Sequence, residues 1–226
     1  MTSKYKLCMP MPAAASAPRT RDPERSRTAI LDAAEELFAE RGFAGSSLEE
    51  IGARAGLSRG TPSYFYGSKE RLFVAVLERV FAAREEATAR AFAPLRAWAH
   101  EGDGSLERAL ARAVEGYMAF LLARPTFVRL LEWEELQGGR RLRETPRQSR
   151  AIADAFAAVR AVASRRGLRT FEVEDAVLLF VSLTFSPLTQ HSTFMAALGR
   201  DLADPSTLRR HVRFVVDQLL AVVRPR

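Results

Sequence analysis

Residues 46–70 read SSLEEIGARAGLSRGTPSYFYGSKE, and this stretch predicts two short helices joined by a tight turn. Ser47, followed three residues later by Glu50, forms a capping-box pattern at the start of the first helix. Gly56 stands where a left-handed residue most easily ends that helix. Ser58 then offers an N-cap for the second helix. A short helix, a glycine turn and a capped second helix are typical of a helix-turn-helix.

The second predicted helix, residues 59–66, begins with side chains that are too small and polar to form a core. Gly60 removes a side chain where the helix would have to approach another surface closely. Arg59 is the best candidate for reading a base, because a guanidinium can bond to both O6 and N7 of guanine. The alternative is an ion pair between Arg59 and Glu49 or Glu50. For the aromatic residues, we expect either Phe65 or Tyr66 to pack in the core of the three helices.

Three predicted helix N-termini, at Ser47, Ser58 and Ser68, would present free backbone N–H groups and a partial positive charge. Such ends favour phosphate oxygens, so they could hold a polyanion with few cations. Thr61 and Ser63 can hydrogen-bond to a phosphate, and a lysine ammonium can contact one as a point charge. The predicted DNA contacts are Ser47, Ser58, Arg59, Gly60, Thr61, Ser63, Tyr64, Phe65 and Lys69.

The segment GLSRGTPSYFYGSKERLF, residues 56–73, resembles the DNA-binding signature of the TetR family of bacterial transcriptional regulators. The resemblance extends back through TAILDAAEELFAERGF to about residue 25, and beyond residue 73 it rests only on helical character and length. It implies an all-α chain with a three-helix DNA-binding head, a helical ligand-binding and dimerising body, and a homodimer on a palindromic operator. Pro62 and Ser63 stand where the family frequently has Leu-Tyr, so Tyr64 or Tyr66 is expected to make the tyrosine contact with phosphate.

The charge distribution does not by itself establish DNA binding. The 226 residues carry a formal net charge of +7, which is a common footprint of nucleic-acid binding. Within residues 19–71, however, nine basic residues are balanced by nine acidic ones. Much of the excess lies in residues 139–169, with nine basic residues against two acidic ones. We interpret the basic cluster in residues 139–169 as a solvated, partly disordered face, since no spacing in it supports an anionic effector.

We divide the chain into a disordered leader (1–20), a helix-turn-helix domain (21–70) and a helical body (71–226). The leader is rich in Pro and Ala, and Pro10 and Pro12 interrupt the apolar run that a signal peptide needs. The basic residues that follow form either its solvated end or an arm that touches phosphates or a minor groove. They are Arg19, Arg21, Arg25 and Arg27.

The body is predicted to begin with a connecting helix from Lys69 to Ala93, which Pro94 ends. Large side chains farther along suggest a mostly apolar pocket between helices, as the family resemblance implies. Ordinary core packing is the alternative for each of them. The predicted pocket residues are Phe81, Trp98, Tyr117, Phe120, Phe127, Trp133 and His191.

Two apolar helices near the end of the chain predict a dimer. Residues 171–185 are apolar almost all round, and a last helix starts at Asp204 or Ser206. Both carry more apolar side chains than a one-sided stripe requires, and a second copy of the chain is the simplest cover. The predicted interface comprises Phe180, Thr184, Leu208, Val212, Val215, Val216 and Leu219.

Other classes of site leave no pattern in the sequence. The single cysteine, Cys8, excludes an internal disulfide and fits the reducing cytoplasm. The three histidines are scattered, so we expect no metal, and no motif predicts a cofactor. No run of 18 apolar residues predicts a membrane span. GxSxG, HExxH, CxxC and a glycine-rich phosphate loop are all missing from the sequence, so we expect no enzyme.

The leading interpretation is a ligand-responsive, homodimeric transcriptional regulator, and we expect it to act as a repressor. Its expected partners are a palindromic double-stranded DNA operator and a small, largely apolar effector. The alternative is a helical protein that binds a ligand or a partner but has lost operator recognition. A helical enzyme is a further rival, and it would need turnover that survives deletion of residues 1–70.

Overall fold

The computed structural model describes residues 22–102, 104–165, 168 and 171–223, and within these ranges all regular structure is helical. The predicted leader, Arg19 and Arg21 lie outside the described residues. The predicted all-α class is confirmed. The helices are α1 Pro23–Arg41, α2 Leu48–Arg54, α3 Thr61–Tyr66, α4 Lys69–Ala91, α5 Ala93–Glu101, α6 Leu106–Ala123, α7 Pro125–Leu136, α8 Arg140–Glu144, α9 Pro146–Ala163, α10 Val173–Thr189 and α11 Pro205–Val223, with a π-helical turn at His191–Met195.

The head consists of α1, α2, α3 and the start of α4, packed around a small aromatic and aliphatic core. Ile30 and Phe38 of α1 and Ile51 of α2 are fully buried. Phe38 meets Phe73 of α4 edge to face, with ring centroids 4.9 Å apart. The three- and four-residue spacing of the apolar side chains in α1 produces this one-sided burial.

The connecting helix α4 runs without a break from the head into the body. Its 23 residues span about 34 Å at 1.5 Å per residue. It ends at Ala91, two residues before the predicted end, and Phe92 forms the joint to α5. Pro94 lies in the first turn of α5, where its missing N–H is tolerated. The sequence analysis assigned no helix to this stretch.

Helix α7 packs the body against the head. The indole Nε1 of Trp133 donates to the carbonyl of Ala39 at 3.1 Å. The indole lies so close to Gly42 that a Cβ on this glycine would be 2.9 Å from the ring. Thr126 of α7 donates its hydroxyl to Glu35 of α1 at 2.6 Å. Trp133, which we predicted in the ligand pocket, is therefore part of the junction between head and body.

The basic cluster of residues 139–169 is partly built into the same junction, so its interpretation as a solvated, disordered face is wrong for two arginines. Arg141 lies 4.3 Å from the ring centroid of Phe43 and donates to the buried Glu134 at 2.8 Å. Arg147 bonds to Glu78 at 2.9 Å and Glu85 at 2.6 Å, both on α4. The two bonds of Arg147 and the contact between Arg141 and Phe43 join residues more than sixty positions apart, which no local pattern shows.

The last helices face inward more than the sequence suggested. Val212, Val215, Val216 and Leu219 of α11 are all buried inside the single chain, at 0–8% exposure. They fill the space beside α6, which needs apolar cover from within the same protomer. As predicted interface residues they are therefore wrong.

The other three predicted interface residues are also covered, wholly or in part. Thr184 is fully buried and donates its hydroxyl to the carbonyl of Phe180 at 2.8 Å. Phe180 itself is half-buried, and Leu208 packs partly buried against the core. The apolar side chains that remain uncovered on these two helices are Leu178, Val181 and Phe214, at 64%, 40% and 48% exposure. Among the described helices, none combines the length and the apolar character needed to cross a membrane.

Candidate nucleic-acid interface

The N-terminus of α2 has the predicted capping box. The hydroxyl of Ser47 accepts from the backbone N–H of Glu50 at 3.2 Å, and the Glu50 carboxylate accepts from the N–H of Ser47 at 3.1 Å. The turn that follows closes when Leu57 N–H donates to the carbonyl of Gly52 at 2.9 Å. Gly56 lies there at φ 68°, a left-handed conformation that favours glycine. The first helix and the glycine turn are confirmed.

Gly52 sets how closely α2 approaches the chain leading into α3. A Cβ at this position would lie 2.8 Å from the carbonyl oxygen of Ser58 and 3.2 Å from Cδ of the buried Pro62. A side chain would therefore push the two segments apart. The sequence analysis did not single out Gly52, because its own backbone is ordinary helix and the crowding comes from the other side of the turn.

Helix α3 begins at Thr61, so the predicted N-cap at Ser58 is wrong. The N-cap is Gly60, which offers no side-chain hydrogen bond. Ser58 instead forms a turn before the helix, in which its carbonyl accepts from Thr61 N–H at 3.0 Å and its hydroxyl bonds to that of Thr61 at 2.6 Å. Pro62 explains the later start, because it fits the first turn of a helix but not its interior.

The outer side of α3 and of the turn before it is not covered by the protein. Ser58, Arg59, Gly60 and Ser63 are exposed, and Tyr64 is 84% exposed. No atom beyond its chain neighbours lies within 4 Å of a Cβ built on Gly60. Thr61 is half-buried at the edge of this surface. A flat, small-residue surface of this kind can approach a groove floor closely, as the sequence predicted.

The inner side of α3 packs against the start of α1. The hydroxyl of Tyr66 donates to the carbonyl of Arg27 at 3.4 Å, and the Arg27 guanidinium lies 5.3 Å from the ring centroid of Phe65. Burial raises the pKa of the Tyr66 hydroxyl, partly offset by the charges of Arg27 and Arg79. We expected one of the two aromatic residues to pack inward, and both do. Phe65, a predicted DNA contact, is half-buried and leaves the exposed aromatic position to Tyr64.

Internal ion pairs account for most of the acidic residues of the head. Arg54 binds Glu36 and Glu40 at 3.2 and 3.1 Å, and its hydrogen bond holds the pKa of Glu40 below the usual range. The remaining pairs follow the same pattern, with Arg79 on Asp32 and Glu35, Arg41 on Glu50, and Arg27 on Glu24.

Three exposed arginines of the head have no ion-pair or hydrogen-bond partner for their guanidinium groups among the described residues: Arg25, Arg59 and Arg71. The pairing of Arg59 with Glu49 or Glu50, which we considered as an alternative, is not formed. Most acidic groups of this head, which is neutral by count, are thus paired internally, and these three arginines are left free to meet an anion.

Lys69 is used inside the protein. Its ammonium donates to the carbonyls of Phe43 and Ser46, both at 3.0 Å, and lies 4.4 Å from the ring centroid of Phe43. These bonds tie the start of α4 to the loop between α1 and α2. This arrangement departs from the predicted phosphate contact and makes Lys69 a positioning residue for the head.

The body contains a largely apolar cavity of about 120 Å³ beside α4. It is lined by side chains from α4, α5, α6, α9, α10 and α11, several of which are far apart in the sequence. Of the seven predicted pocket residues, only Tyr117 lines this cavity. The prediction that they form one pocket is wrong.

The other predicted pocket residues lie elsewhere in the body. Phe81 and Phe127 are fully buried and meet edge to face at 5.9 Å, and Phe120 packs on Phe127 at 5.3 Å. Trp98 lies under the guanidinium of Arg165. His191 is exposed on the π-helical turn, where its ring nitrogen and the carbonyl of Leu188 are 2.9 Å apart. Aromatic residue type did not distinguish core from cavity.

Comparison with known families agrees with this geometry. Residues 30–76 match the family described as bacterial regulatory proteins, tetR family, and residues 107–219 match the tetracyclin repressor-like C-terminal domain. The chain belongs to the TetR family. Its described helices thus form the DNA-binding and C-terminal parts of a TetR-family transcriptional regulator, as the resemblance in residues 25–73 implied.

Individual TetR-family proteins are similar along most of the chain. The HTH-type transcriptional repressor NicS of Pseudomonas putida is 28% identical over 211 residues, covering 91% of this chain and 96% of NicS. The HTH-type transcriptional repressor SCO4008 of Streptomyces coelicolor is 29% identical over 171 residues, covering 71% and 76% of the two chains. The crystal structure of the putative transcriptional regulator SCO4942 of Streptomyces coelicolor has the same fold, with a TM-score of 0.67, 24% identity and coverage of 88% and 99%.

Proposed function

We propose that this TetR-family protein is a homodimeric repressor that binds a palindromic operator through α3 and leaves it when a small molecule fills the cavity in the body. The observation that carries the proposal is the uncovered outer face of α3, with the unpaired Arg59 in the turn just before it. An exposed arginine beside a glycine without neighbours can enter a major groove with no rearrangement of the protein.

Each exposed group in the head has a distinct proposed role on DNA. Arg59 reads a guanine through O6 and N7, while Thr61 and Ser63 bond to phosphate oxygens and Tyr64 touches a phosphate or a thymine methyl. Arg25 and Arg71 are phosphate contacts, since both are exposed cations on the head. Arg25 lies on α1 just before the turn that packs against α3, so an arm preceding it would leave the head close to the DNA.

The dimer is proposed to form through the exposed apolar side chains of α10 and α11. Leu178, Val181 and Phe214 are uncovered on adjacent helices, and a second copy would bury them. A two-fold axis there would have to place the two α3 helices on the same side of the DNA. Their separation must match one or more helical turns, about 34–36 Å each.

Helix α4 is the proposed link between effector and operator. Arg84 and Thr88 on its second half line the cavity, together with Phe92 at the joint to α5. Arg79 on its first half bonds to Asp32 and Glu35 of α1 at 2.6 Å each. A ligand that moves α4 would therefore move the head, provided that it binds the two positions of the heads with different affinity.

The direction of regulation is proposed from the relatives. NicS and SCO4008 are both named as repressors, and we assign the same sign to this chain. Since the operator of a bacterial regulator lies on the chromosome, we place the protein in the cytoplasm. We expect it to act by occupancy of DNA and not by turnover of a substrate.

Selection of bound duplexes from a random library tests DNA binding and operator geometry together. We expect enrichment of an inverted repeat, and an affinity for it that falls steeply with salt because Lys and Arg displace counterions from phosphates. When Arg59→Ala is tested on the selected duplex, Arg209→Ala is the matched control for the loss of one exposed charge. Arg209 lies on α11, is exposed and has no partner among the described residues. Failure to enrich any sequence, or equal binding to all duplexes, would favour the alternative protein without operator recognition.

A further inference from the structure

Arg84 is a buried arginine at the wall of the cavity. It lies on α4 with 8% of its surface exposed, among the apolar side chains that form the rest of the lining. Arginine is rarely buried unless it is paired. Its neighbour Glu85 does not supply a partner, because that carboxylate bonds to Arg147 at 2.6 Å.

The Arg84 guanidinium is not satisfied by the described part of the protein. Its buried Nε and Nη2 have no hydrogen-bond partner. The rings of Phe81 and Phe127, with centroids 4.7 and 5.9 Å away, offer cation–π contacts but accept no conventional hydrogen bond. Burial also lowers the pKa of Arg84 from its ordinary value, because the charged guanidinium is poorly solvated in the fold. A buried cation in this condition lacks an anion.

Tyr117 on α6 lines the same cavity and supplies a second polar group. Burial raises the pKa of its hydroxyl to about 12, against the smaller opposing effect of the Arg84 charge. The hydroxyl is therefore protonated at neutral pH and can donate. It has no hydrogen-bond partner among the described residues. The cavity thus combines one cation and the neutral hydroxyls of Tyr117 and Thr88 with otherwise apolar walls.

We propose that the effector is a small, apolar monocarboxylate whose carboxylate pairs with Arg84 and accepts a hydrogen bond from Tyr117. Its hydrocarbon part lies against Leu110, Val114 and Phe180. The volume of about 120 Å³ is similar to that of an engineered apolar cavity of about 150 Å³ that takes up benzene, so the effector is closer to a single ring or a short chain than to a large polycycle. This identification rests on the proposed ligand-responsive function and narrows the expected small, largely apolar effector to one that carries a carboxylate.

The proposal explains how binding of such an effector in the body could change the affinity of the head for the operator. Arg84 lies on the same helix as Glu78 and Glu85, which hold Arg147 of α9, and as Arg79, which holds α1. A carboxylate bound to Arg84 pulls on α4 between these two attachments. A neutral molecule of the same shape would fill the cavity without this charge-assisted contact.

Isosteric pairs of compounds test the chemistry without DNA. Benzoate, phenylacetate and hexanoate are compared with benzamide, phenylacetamide and hexanamide by calorimetric titration and by the shift in Tm of the full chain. We expect at least one carboxylate to bind about 10- to 100-fold more tightly than its amide, as a hydrogen-bonded ion pair predicts. If no carboxylate binds, or the amides bind equally well, the proposal is overturned.

Arg84→Met removes the charge and keeps a long apolar side chain, and Arg90→Met on the exposed part of the same helix is the control. We expect Arg84→Met to lose the preference for the carboxylate, and Arg90→Met to keep it. Without ligand, Arg84→Met should melt at the same temperature as the control or higher, because an unpaired buried charge has been removed. A lower Tm than the control would show that Arg84 is a satisfied structural residue and would overturn the proposal.

Tyr117→Phe is a milder variant that retains the ring and the charge of Arg84. It should weaken carboxylate binding several-fold and leave amide binding nearly unchanged; equal losses for both would contradict the assigned hydrogen bond. The same compounds are then added to the protein on its selected duplex. Carboxylate binding without DNA release would leave the site intact and refute the proposed response, whereas failure to bind any DNA would refute the proposed function alone.

Discussion

Arg59 in the head and Arg84 in the body are both arginines without a partner among the described residues, but their surroundings are opposite. Arg59 is exposed and hydrated, so its lack of a partner costs almost nothing and leaves it ready for DNA. Arg84 is 8% exposed, and its unsatisfied N–H groups destabilise the protein until an anion arrives. The first arginine is free because nothing covers it, and the second because the fold encloses it beside an empty space. An unpaired charge therefore indicates a ligand most strongly where it is buried.

The largest effect is expected where a charge is forced into the body. Val216→Glu should lower the free energy of unfolding by about 3–5 kcal/mol, since Val216 is 4% exposed and belongs to the hydrophobic core. Leu178→Glu, at 64% exposure, should leave the fold intact and yield monomers. Chemical denaturation and analytical ultracentrifugation separate the two outcomes. A folded Val216→Glu monomer would show that α11 contributes its inner face to the dimer after all.

The next largest effect on stability is expected at the junction between the head and the body. Trp133→Ala should cost about 3 kcal/mol in stability, because it empties the space against Gly42 and removes the bond to Ala39. Trp133→Phe keeps most of the ring and should cost about 1 kcal/mol for the lost hydrogen bond. Both values come from urea denaturation. Equal, negligible losses would mean that head and body are held together without α7.

Substitution of two glycines of the head should affect either its internal packing or its approach to DNA. Gly52→Ala should destabilise the protein by about 1–3 kcal/mol, because the new Cβ would lie 2.8 Å from a backbone oxygen. Gly60→Ala meets no atom within 4 Å and should fold as well as the parent chain while binding the operator more weakly. Thermal unfolding and DNA titration of the two variants provide the check. The reverse pattern would place the close contact at the wrong glycine.

The smallest effects concern pH, and they have opposite signs in the two regions. The hydrogen bond from Ser47 and the charge of Arg41 lower the pKa of Glu50 in the head, whereas burial raises that of Glu132 in the body. Glu50 therefore contributes stability above its ordinary pKa and loses it as the pH falls. Glu132 does the reverse, since its ionised form is the less favourable one in the fold.

Glu50→Gln should accordingly melt below the parent chain at pH 7, and Glu132→Gln above it, with both differences shrinking towards about pH 3.5 as the parent carboxylates take up protons. Differential scanning calorimetry at the two pH values measures this. A constant difference between each variant and the parent would remove ionisation as its cause.

The sequence predicted the head far better than the body, and the reason is the distance over which each is assembled. The capping box of Ser47 and Glu50 and the turn at Gly56 involve residues next to one another, so their pattern is legible in one dimension. The start of α3 was misplaced because the local sequence allows the helix to begin either after Ser58 or at Thr61. Only the packing of Pro62 decides between these two starts. The crowding at Gly52 left no local signal either.

The cavity combines side chains from six helices, and its key residue, Arg84, looks like any charged residue on an amphipathic helix. Its burial depends on α6 and α10, which no spacing within α4 reveals. The same holds for Val216, whose inward orientation is set by α6. Hydrophobic pattern predicted that these helices are buried but not which of their faces a second copy covers.

The most direct test of the account is the affinity of the wild-type protein and of Arg59→Ala for the selected operator and for each of its single-base-pair variants. Wild type should discriminate against loss of one guanine in each half-site by about 1–3 kcal/mol, and Arg59→Ala should lose that discrimination at this position while Arg209→Ala keeps it. If Arg59→Ala retained the full preference of the wild type at every position, Arg59 would not read the operator sequence, and the assignment of the exposed face of α3 to DNA would be wrong.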